Sequence, residues 1–150
     1  MKWVTRKKAM VDRIACPWLI KKFIDPEATF LFVPEEEVLR VAEKENAIPF
    51  DTKGVELNHY LENGIEYVTF DALIKKYNLN DPALLELAKI IRGADAHKPF
   101  NPPPESVGLK AAAIGFREIS EDDYQNMEKQ FPMYDAFYAY CKLKIQDKIK

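Results

Sequence analysis

The sequence predicts a mostly helical α+β fold with a small β-sheet, built as a single domain over residues 1–150. The length fits one hydrophobic core, since single domains typically contain about 100–200 residues. Short apolar runs typical of strands occur in the first half of the chain, whereas apolar residues at helical spacing dominate the second half. No internal repeat and no linker divides the sequence.

A first strand is predicted at residues 3–5 and a second at residues 29–33, with a helix between them. This helix has two candidate starts. Asp12 is a suitable N-cap but leaves Pro17 inside the helix, where its ring clashes with a carbonyl of the preceding turn; alternatively, the helix begins at Pro17 itself. Asp25 ends the helix in either case, because the residue before a proline avoids helical backbone angles.

Another helix and three further strands are predicted next. Pro34 and the three glutamates after it favour a helix start, because proline suits the first turn and acidic residues interact favourably with the helix dipole. Residues 47–50 are an apolar run typical of a strand. Residues 55–59 and 67–69 predict two more strands around a turn at Asn63-Gly64.

Helical spacing dominates the rest of the chain. Apolar residues within 70–77 recur at i, i+3, i+4 and i+7. Asp81-Pro82 favours a capped start for the next helix, and Gly93 is a natural C-terminal stop. Residues 94–104 contain four prolines and predict a loop long enough to suggest a functional role.

Two helices are predicted after this loop. The inward-facing residues of the first are expected to be Val107, Ala111 and Ile114. For the last helix, Ser120 with Asp123 forms a weak capping box, and Pro132 is expected to break or kink the helix. Beyond that proline the sequence predicts one apolar stripe formed by Tyr134, Phe137, Tyr138, Cys141 and Ile145.

Composition and charge argue against several classes of function. The net charge is -2 and the pI is about 5.8, so the chain is not expected to bind nucleic acid directly. Two cysteines form no disulfide framework and are consistent with a reducing compartment. The sequence contains neither a secretory apolar region nor an apolar run long enough for a membrane span. We therefore expect a cytoplasmic protein without a membrane partner.

The two histidines, His59 and His97, limit any metal site to a mixed histidine and carboxylate set. His59 is expected near the end of a strand, Asp71 at the start of the following helix, and Asp95 just beyond a helix end. Such a set suits Zn, Fe or Mn. The spacing matches no strong metal motif, so two alternatives stay open: a hydrogen-bonded structural His59, and an Asp71 that accepts backbone N–H groups at its helix start.

Two arginines suggest an anion site. Arg13 lies near the start of the first predicted helix, and Arg92 directly precedes Gly93. Two guanidinium groups beside a helix N-terminus would form a pocket for a tetrahedral oxyanion, because each offers forked N–H donors. The alternative is structural ion pairing, of Arg13 with Asp12 or Asp71 and of Arg92 with Asp95.

Cys16 is a candidate reactive thiol. At a helix N-terminus beside Arg13 its thiolate would be favoured. The alternative is a small buried hydrophobic residue, which is the usual role of a cysteine in an apolar stretch and the one expected for Cys141. No second thiol is near enough in sequence to resolve an oxidised Cys16.

The most specific part of the sequence is the segment from Asp12 to Pro26, which combines opposite charges, a thiol, an indole and two prolines on an apolar framework. Further characteristic segments are 30–34 (FLFVP), 48–51 (IPFD), His59, 69–71 (TFD), 81–84 (DPAL) and 90–95 (IIRGAD). Together these segments closely resemble the C-terminal domain of the chromate-resistance ChrB family, in register over about the first two-thirds of the chain.

This resemblance implies a chromate-linked sensory or accessory domain. Our first hypothesis is a pocket that takes a metal ion, a tetrahedral oxyanion or another small-molecule ligand and is built from Arg13, His59, Asp71, Arg92 and Asp95. Relatives often carry a cysteine at the position of Val68 and some carry a histidine at that of Arg92. The resemblance therefore leaves His59, Asp71 and Asp95 as the matching metal set. The chain is expected to be a stand-alone copy without the portion of the regulator that contacts DNA.

Two other classes of function stay open. A metal-dependent enzyme acting on a small substrate would use His59 and Asp95 as ligands and Asp71 as a base. An interaction module would bind a partner through the proline-rich residues 98–104. The sequence also leaves open whether copies of the chain form a homo-oligomer.

Overall fold

This computed structural model describes residues 1–149. Within them the chain forms two small sheets and six α-helices. The strands are β1 (Lys2–Arg6), β2 (Thr29–Val33), β3 (Ile48–Pro49), β4 (Tyr60–Glu62) and β5 (Ile65–Tyr67). The helices are α1 (Asp12–Leu19), α2 (Val38–Glu45), α3 (Thr69–Lys76), α4 (Pro82–Asp95), α5 (Glu105–Glu118) and α6 (Asp123–Ile145). The predicted mostly helical α+β class is confirmed. Within these residues no helix is both long and apolar enough to cross a bilayer.

The larger sheet is parallel, with β1 between β2 and β3. The chain leaves β1 through α1 to reach β2 on one side, whereas β3 lies on the other side. In open parallel sheets a crevice forms outside the carboxyl ends of strands whose connections run in opposite directions. The ends of β1 and β3 therefore form an edge at which polar side chains can meet.

The first helix is the most deeply buried of the six, since Arg13 is its only residue that is not buried. It begins at Asp12, so the structure has the first of the two predicted starts, and Pro17 lies inside the helix. A π-helical turn continues it over Ile20–Ile24, where the Asp25 N–H donates to the Ile20 carbonyl at 2.7 Å. Packing against α3, α4 and α6 stabilises the helix despite the proline.

The hairpin strands lie closer to their turn than the sequence indicates. Residues 55–58 form bends and His59 is irregular, so the predicted strand at 55–59 is absent. Strands β4 and β5 directly flank the Asn63-Gly64 turn. Both turn residues have positive φ, 53° for Asn63 and 76° for Gly64. A two-residue turn of this kind pairs the residues next to it, which places Glu62 opposite Ile65.

The contact between α4 and α5 differs from the prediction in two ways. Gly93 does not end α4, which continues to Asp95. The buried residues of α5 are Ser106, Leu109 and Ala113, whereas the predicted inward residues Val107, Ala111 and Ile114 are exposed. Close approach of the two helices explains both differences, because the Ser106 hydroxyl donates to the Ile90 carbonyl at 2.7 Å and lies over Gly93.

One face of α6 binds the backbone of the four residues before α1. The Asp123 carboxylate accepts the N–H groups of Lys8 and Ala9 at 2.9 and 2.7 Å. Asn126, Gln130 and Tyr134 then donate to the carbonyls of Ala9, Met10 and Val11, respectively. These four side chains of α6 therefore hydrogen-bond the segment 8–11, which we call the clamped segment.

Two expectations for α6 need correction. The N-cap is Asp122, whose carboxylate accepts the Gln125 N–H at 2.8 Å, and not Ser120 with Asp123, since Asp123 is bound to the clamped segment. The helix also runs through Pro132 without a break. Its packing against α1 and α4 outweighs the hydrogen bond that the proline removes. Within the predicted stripe, Tyr134 and Cys141 are buried, whereas Ile145 is exposed.

Gly93→Ala should destabilise the protein. A Cβ at this position would lie 2.2 Å from the Ser106 Oγ and 2.9 Å from the Pro102 Cβ, so side chains on α5 and in the preceding loop must move. We expect a net loss of about 1–2 kcal/mol in the free energy of unfolding, even though alanine favours helix. Urea denaturation followed by tryptophan fluorescence measures it.

Gly108→Ala in α5 is the matched control, because a Cβ there meets nothing within 4 Å. This control should raise the free energy of unfolding by up to about 1 kcal/mol through helix propensity alone. Equal effects of the two substitutions would contradict the close packing of α4 on α5.

Candidate functional site

A cavity of about 580 Å³ opens at the carboxyl ends of β1 and β3. Its acidic lining residues are Asp12, Asp51 and Asp95, which we call the carboxylate cluster. Its basic lining residues are Arg6, Arg13, Lys110 and Arg117, which we call the cationic rim. The ends of β1 and α4, the start of α1 and the residue after Phe50 each supply one or more of these groups, and His59 lies between them.

His59 is the centre of this arrangement. Its Nε2 lies 3.0 Å from Asp95 Oδ2, 3.4 Å from Asp51 Oδ1 and 3.5 Å from Asp12 Oδ2. Its Nδ1 lies 3.1 Å from Glu66 Oε2. Burial opposes the charged imidazolium, but the hydrogen bonds to the carboxylate cluster outweigh it and hold the pKa of His59 well above its ordinary value. The imidazole is thus held by carboxylates at both nitrogens.

The Asp12 carboxylate is buried and binds the N-terminus of α3. Its Oδ2 accepts the Thr69 N–H at 2.8 Å, and its Oδ1 accepts the Phe70 N–H at 3.1 Å. Burial and the nearby charges of Asp95 and Asp51 raise the pKa of Asp12 to about 7, against the opposing effect of His59. Asp12 is therefore a carboxylate whose charge a neighbouring cation would stabilise.

The other two carboxylates are held by different donors. Asp95 Oδ1 accepts the Asp12 N–H at 3.3 Å, which joins the end of α4 to the start of α1. Asp51 Oδ1 accepts the Thr69 hydroxyl at 2.7 Å, and its Oδ2 lies 3.4 Å from Arg13 Nε. Burial raises the pKa of Asp51, but hydrogen bonds from His59 and Thr69 and the charge of Arg13 bring it below the ordinary value. Asp51 is thus the member of the cluster already compensated by arginine.

A second small cluster shares His59. Glu66 Oε2 accepts the His97 N–H at 2.9 Å, and Oε1 accepts the Lys98 N–H at 3.0 Å, so the loop after α4 fixes this carboxylate. The rings of His59 and His97 are 5.7 Å apart. Two groups have ligand atoms within 4.8 Å of one another: Asp12, His59 and Asp95, and His59, Glu66 and His97. The ligand atoms of either group, taken separately, are close enough to coordinate one metal ion.

The structure brings together His59 and Asp95 from the predicted metal set and places Asp71 elsewhere. The Asp71 carboxylate receives two bonds from Arg92, at 2.7 and 3.0 Å, and accepts the Val68 N–H at 3.0 Å. Its observed contacts are those of the structural alternative, a carboxylate at a helix start.

The two predicted anion-binding arginines are also separated. Arg13 lines the cavity and pairs with Asp51, whereas Arg92 pairs with Asp71 and lies over the Tyr67 ring at 4.7 Å. Neither pairing is the one that the sequence suggested. Ion pairing involves both arginines, and only Arg13 faces the cavity.

Sequence reasoning missed Asp12 and Asp51 as members of the cluster and Glu66 as the partner of His59. The available signal for the first two was their place in the characteristic segments, with Asp51 directly after a predicted strand. Glu66 had no comparable signal, because only the fold brings it to His59.

Cys16 lies in the interior of α1 and not at its N-terminus. The thiol is fully buried and donates to Asp12 Oδ1 at 3.3 Å. Burial, followed by the charges of Asp12 and Asp51, raises the pKa of Cys16 well above its ordinary value. The condition under which the sequence predicts a reactive thiolate, a position at the helix start, is not met.

We expect Cys16 to resist alkylation in the folded protein. In a Cys141→Ser variant, which leaves one thiol, iodoacetamide at neutral pH should react at least about a hundredfold more slowly than with the unfolded chain, because labelling requires the helix to open. Mass spectrometry of timed samples with and without urea measures both rates. Equal rates would contradict the burial of this thiol.

Comparison with known proteins agrees with the resemblance seen in the sequence. The model of the family described as "ChrB, C-terminal domain" matches residues 3–141. Protein ChrB of Cupriavidus metallidurans is 32% identical over 139 residues, which cover 92% of this chain and 40% of that protein. The chain thus spans about two-fifths of the length of this relative. No solved structure matches this chain significantly. By the extent of both matches, this chain belongs to the ChrB C-terminal domain family.

Proposed function

We propose that this chain is a chromate-resistance-associated sensory or accessory domain that binds a divalent metal ion through Asp12, His59 and Asp95. The family relationship supports the association with chromate resistance. The main support for metal binding is the convergence of three carboxylates on His59 Nε2 within 3.5 Å. Zn, Fe and Mn suit this set of one imidazole nitrogen and several carboxylate oxygens.

Electrostatics favours a cation at this position. Carboxylates buried near one another repel, and their charged forms are disfavoured by desolvation. In this cluster only Asp51 is paired with arginine, whereas Asp12 and Asp95 are close to His59 and to each other. A divalent ion between Asp12, Asp95 and a neutral His59 would compensate both carboxylates more fully than one shared imidazolium.

The surroundings of the three ligands match those of metal sites. A metal-bound histidine usually donates its other ring N–H to a carboxylate, and Glu66 lies 3.1 Å from His59 Nδ1. Coordinating carboxylates are themselves hydrogen-bonded, as Asp12 is by Thr69 and Phe70. The ligands also come from separate elements, so the ion would link α1 and α4 to the segment before β4. Such a link suits a sensory role, because occupancy would change the stability of the whole core.

The alternative cluster of His59, Glu66 and His97 is a weaker candidate. His97 is exposed on a loop, and both Glu66 oxygens already accept backbone N–H groups. Glu66 fits better as the group that orients His59. Substitution of His97 separates the two clusters experimentally, since only one of them contains it.

Asp95→Asn and His59→Gln should each weaken metal binding at least about a hundredfold, because each removes a direct ligand. His97→Gln, the matched control, should remain within about threefold of the unchanged protein. Calorimetric titration of the chelator-treated protein with Mn²⁺ and Zn²⁺ measures the affinities. At a hundred times the dissociation constant, the metal should raise the melting temperature by roughly 5–10 °C.

Absence of binding by the unchanged protein would refute this proposal. Equal losses of metal affinity in His97→Gln and His59→Gln would indicate that the ion binds to the second cluster, formed by His59, Glu66 and His97. Circular dichroism of each variant shows whether it is folded, and Asp95→Asn tests the site with His59 in place.

Glu66→Gln should weaken metal binding about tenfold to a hundredfold while leaving the stoichiometry at one ion. The amide has one neutral acceptor oxygen in place of two charged ones, so it orients His59 less firmly and raises the basicity of the other ring nitrogen less than the carboxylate does. The same titration measures the change. An unchanged affinity would show that Glu66 does not act on the metal through His59.

A further inference from the structure

We propose that the cavity also binds an organic anion, a small molecule with a phosphate-type group that contacts the cationic rim beside the metal. This inference rests on the proposed metal site and names the class of ligand that would complete it. The support comes from charge, from unused hydrogen-bond donors and from the size of the cavity.

Charge is the first observation. The protein has a net charge of -2, yet the side chains of the cationic rim outnumber those of the carboxylate cluster by four to three. A divalent ion at His59 would increase this excess of positive charge further. A cavity that concentrates one sign of charge attracts a ligand of the opposite sign.

The cationic rim also has unused donors. Within residues 1–149, neither Lys110 nor Arg117 has a carboxylate within 4.0 Å, and both are exposed on α5. Arg117 also lines the adjoining cavity, where five arginine and lysine side chains outnumber the two carboxylates of Glu35 and Glu36, so an excess of positive charge extends outward from the site. Cations held at a cavity without a protein partner are available to an anionic ligand.

Arg13 is held in position for such a ligand. Its Nη1 donates to the carbonyls of Arg6 and Lys7, both at 2.9 Å, and its Nε lies 3.4 Å from Asp51 Oδ2. Within the described chain these contacts leave its Nη2 without a protein acceptor. A guanidinium anchored on one side and free on the other suits recognition of an oxyanion.

Size favours an organic ligand over an inorganic ion. The cavity of about 580 Å³ lies in the usual range of small-molecule sites, roughly 300–1,000 Å³, and a tetrahedral ion would occupy a small fraction of it. Apolar side chains also line it, and these are Met10, Val11, Ala94 and Ala96. They offer contact to a carbon skeleton, while an oxygen of the anion could complete the coordination of the metal.

The test is calorimetric titration of metal-loaded protein, freed of excess metal, with glycerol 3-phosphate, inorganic phosphate and glycerol. We expect glycerol 3-phosphate to bind about tenfold more tightly than phosphate and glycerol not to bind measurably. Arg117→Gln and Lys110→Gln should each weaken glycerol 3-phosphate binding about tenfold, as loss of a charged hydrogen bond predicts. Lys21→Gln is the control, because Lys21 is exposed and does not line the cavity.

Each result has a distinct meaning. Equal affinities for glycerol 3-phosphate and phosphate would overturn the organic ligand and leave an inorganic oxyanion site. Absence of binding by both, or rim variants that behave like Lys21→Gln, would overturn the anion site while the metal content, measured by elemental analysis, remains. A protein that binds no metal would refute the proposed function instead. The same anion titration without metal would still test whether the cationic rim binds an anion.

Discussion

The carboxylate of Asp12 is the point at which three helices meet. Asp12 belongs to the first turn of α1. Its carboxylate accepts N–H groups at the start of α3, and its backbone N–H donates to Asp95 at the end of α4. A buried Asp12 carboxylate beside the half-buried carboxylate of Asp95 is unfavourable unless donors and cations compensate both. The helix N-terminus and His59 supply this compensation. The packing of the helices and the chemistry of the cavity therefore depend on the same few charges.

Local signals in the sequence were enough to predict most elements. The strand at 29–33 and the cap at Asp81 follow from adjacent residues, and the structure has both with these boundaries. Gly93 shows why other predictions were wrong. Its use as a helix stop is a local preference, but α5 packs so closely that only glycine fits inside the helix. A tertiary contact, which the sequence does not display, therefore places Gly93 inside α4 and not at its end.

The candidate site also contains some residues that could be predicted from the sequence and others that only the fold brings together. His59 and Asp95 were predicted because histidine and aspartate are the usual metal-binding types, and the structure places them 3.0 Å apart. Asp71 lies apart from them, since Arg92 in the last turn of α4 binds its carboxylate. The role of Asp12 could not be predicted, because the N–H groups that it accepts belong to a helix more than fifty residues later in the chain.

The clamped segment has a consequence for biosynthesis. Its peptide groups obtain their partners from Asp123 to Tyr134, more than a hundred residues downstream. The backbone that leads into Asp12 is therefore incompletely bonded while the C-terminal helix is still inside the ribosome. Contacts of such large sequence separation form slowly and late. The nascent chain can build its sheet early, but it completes the cavity only after α6 has left the ribosome and bound the clamped segment.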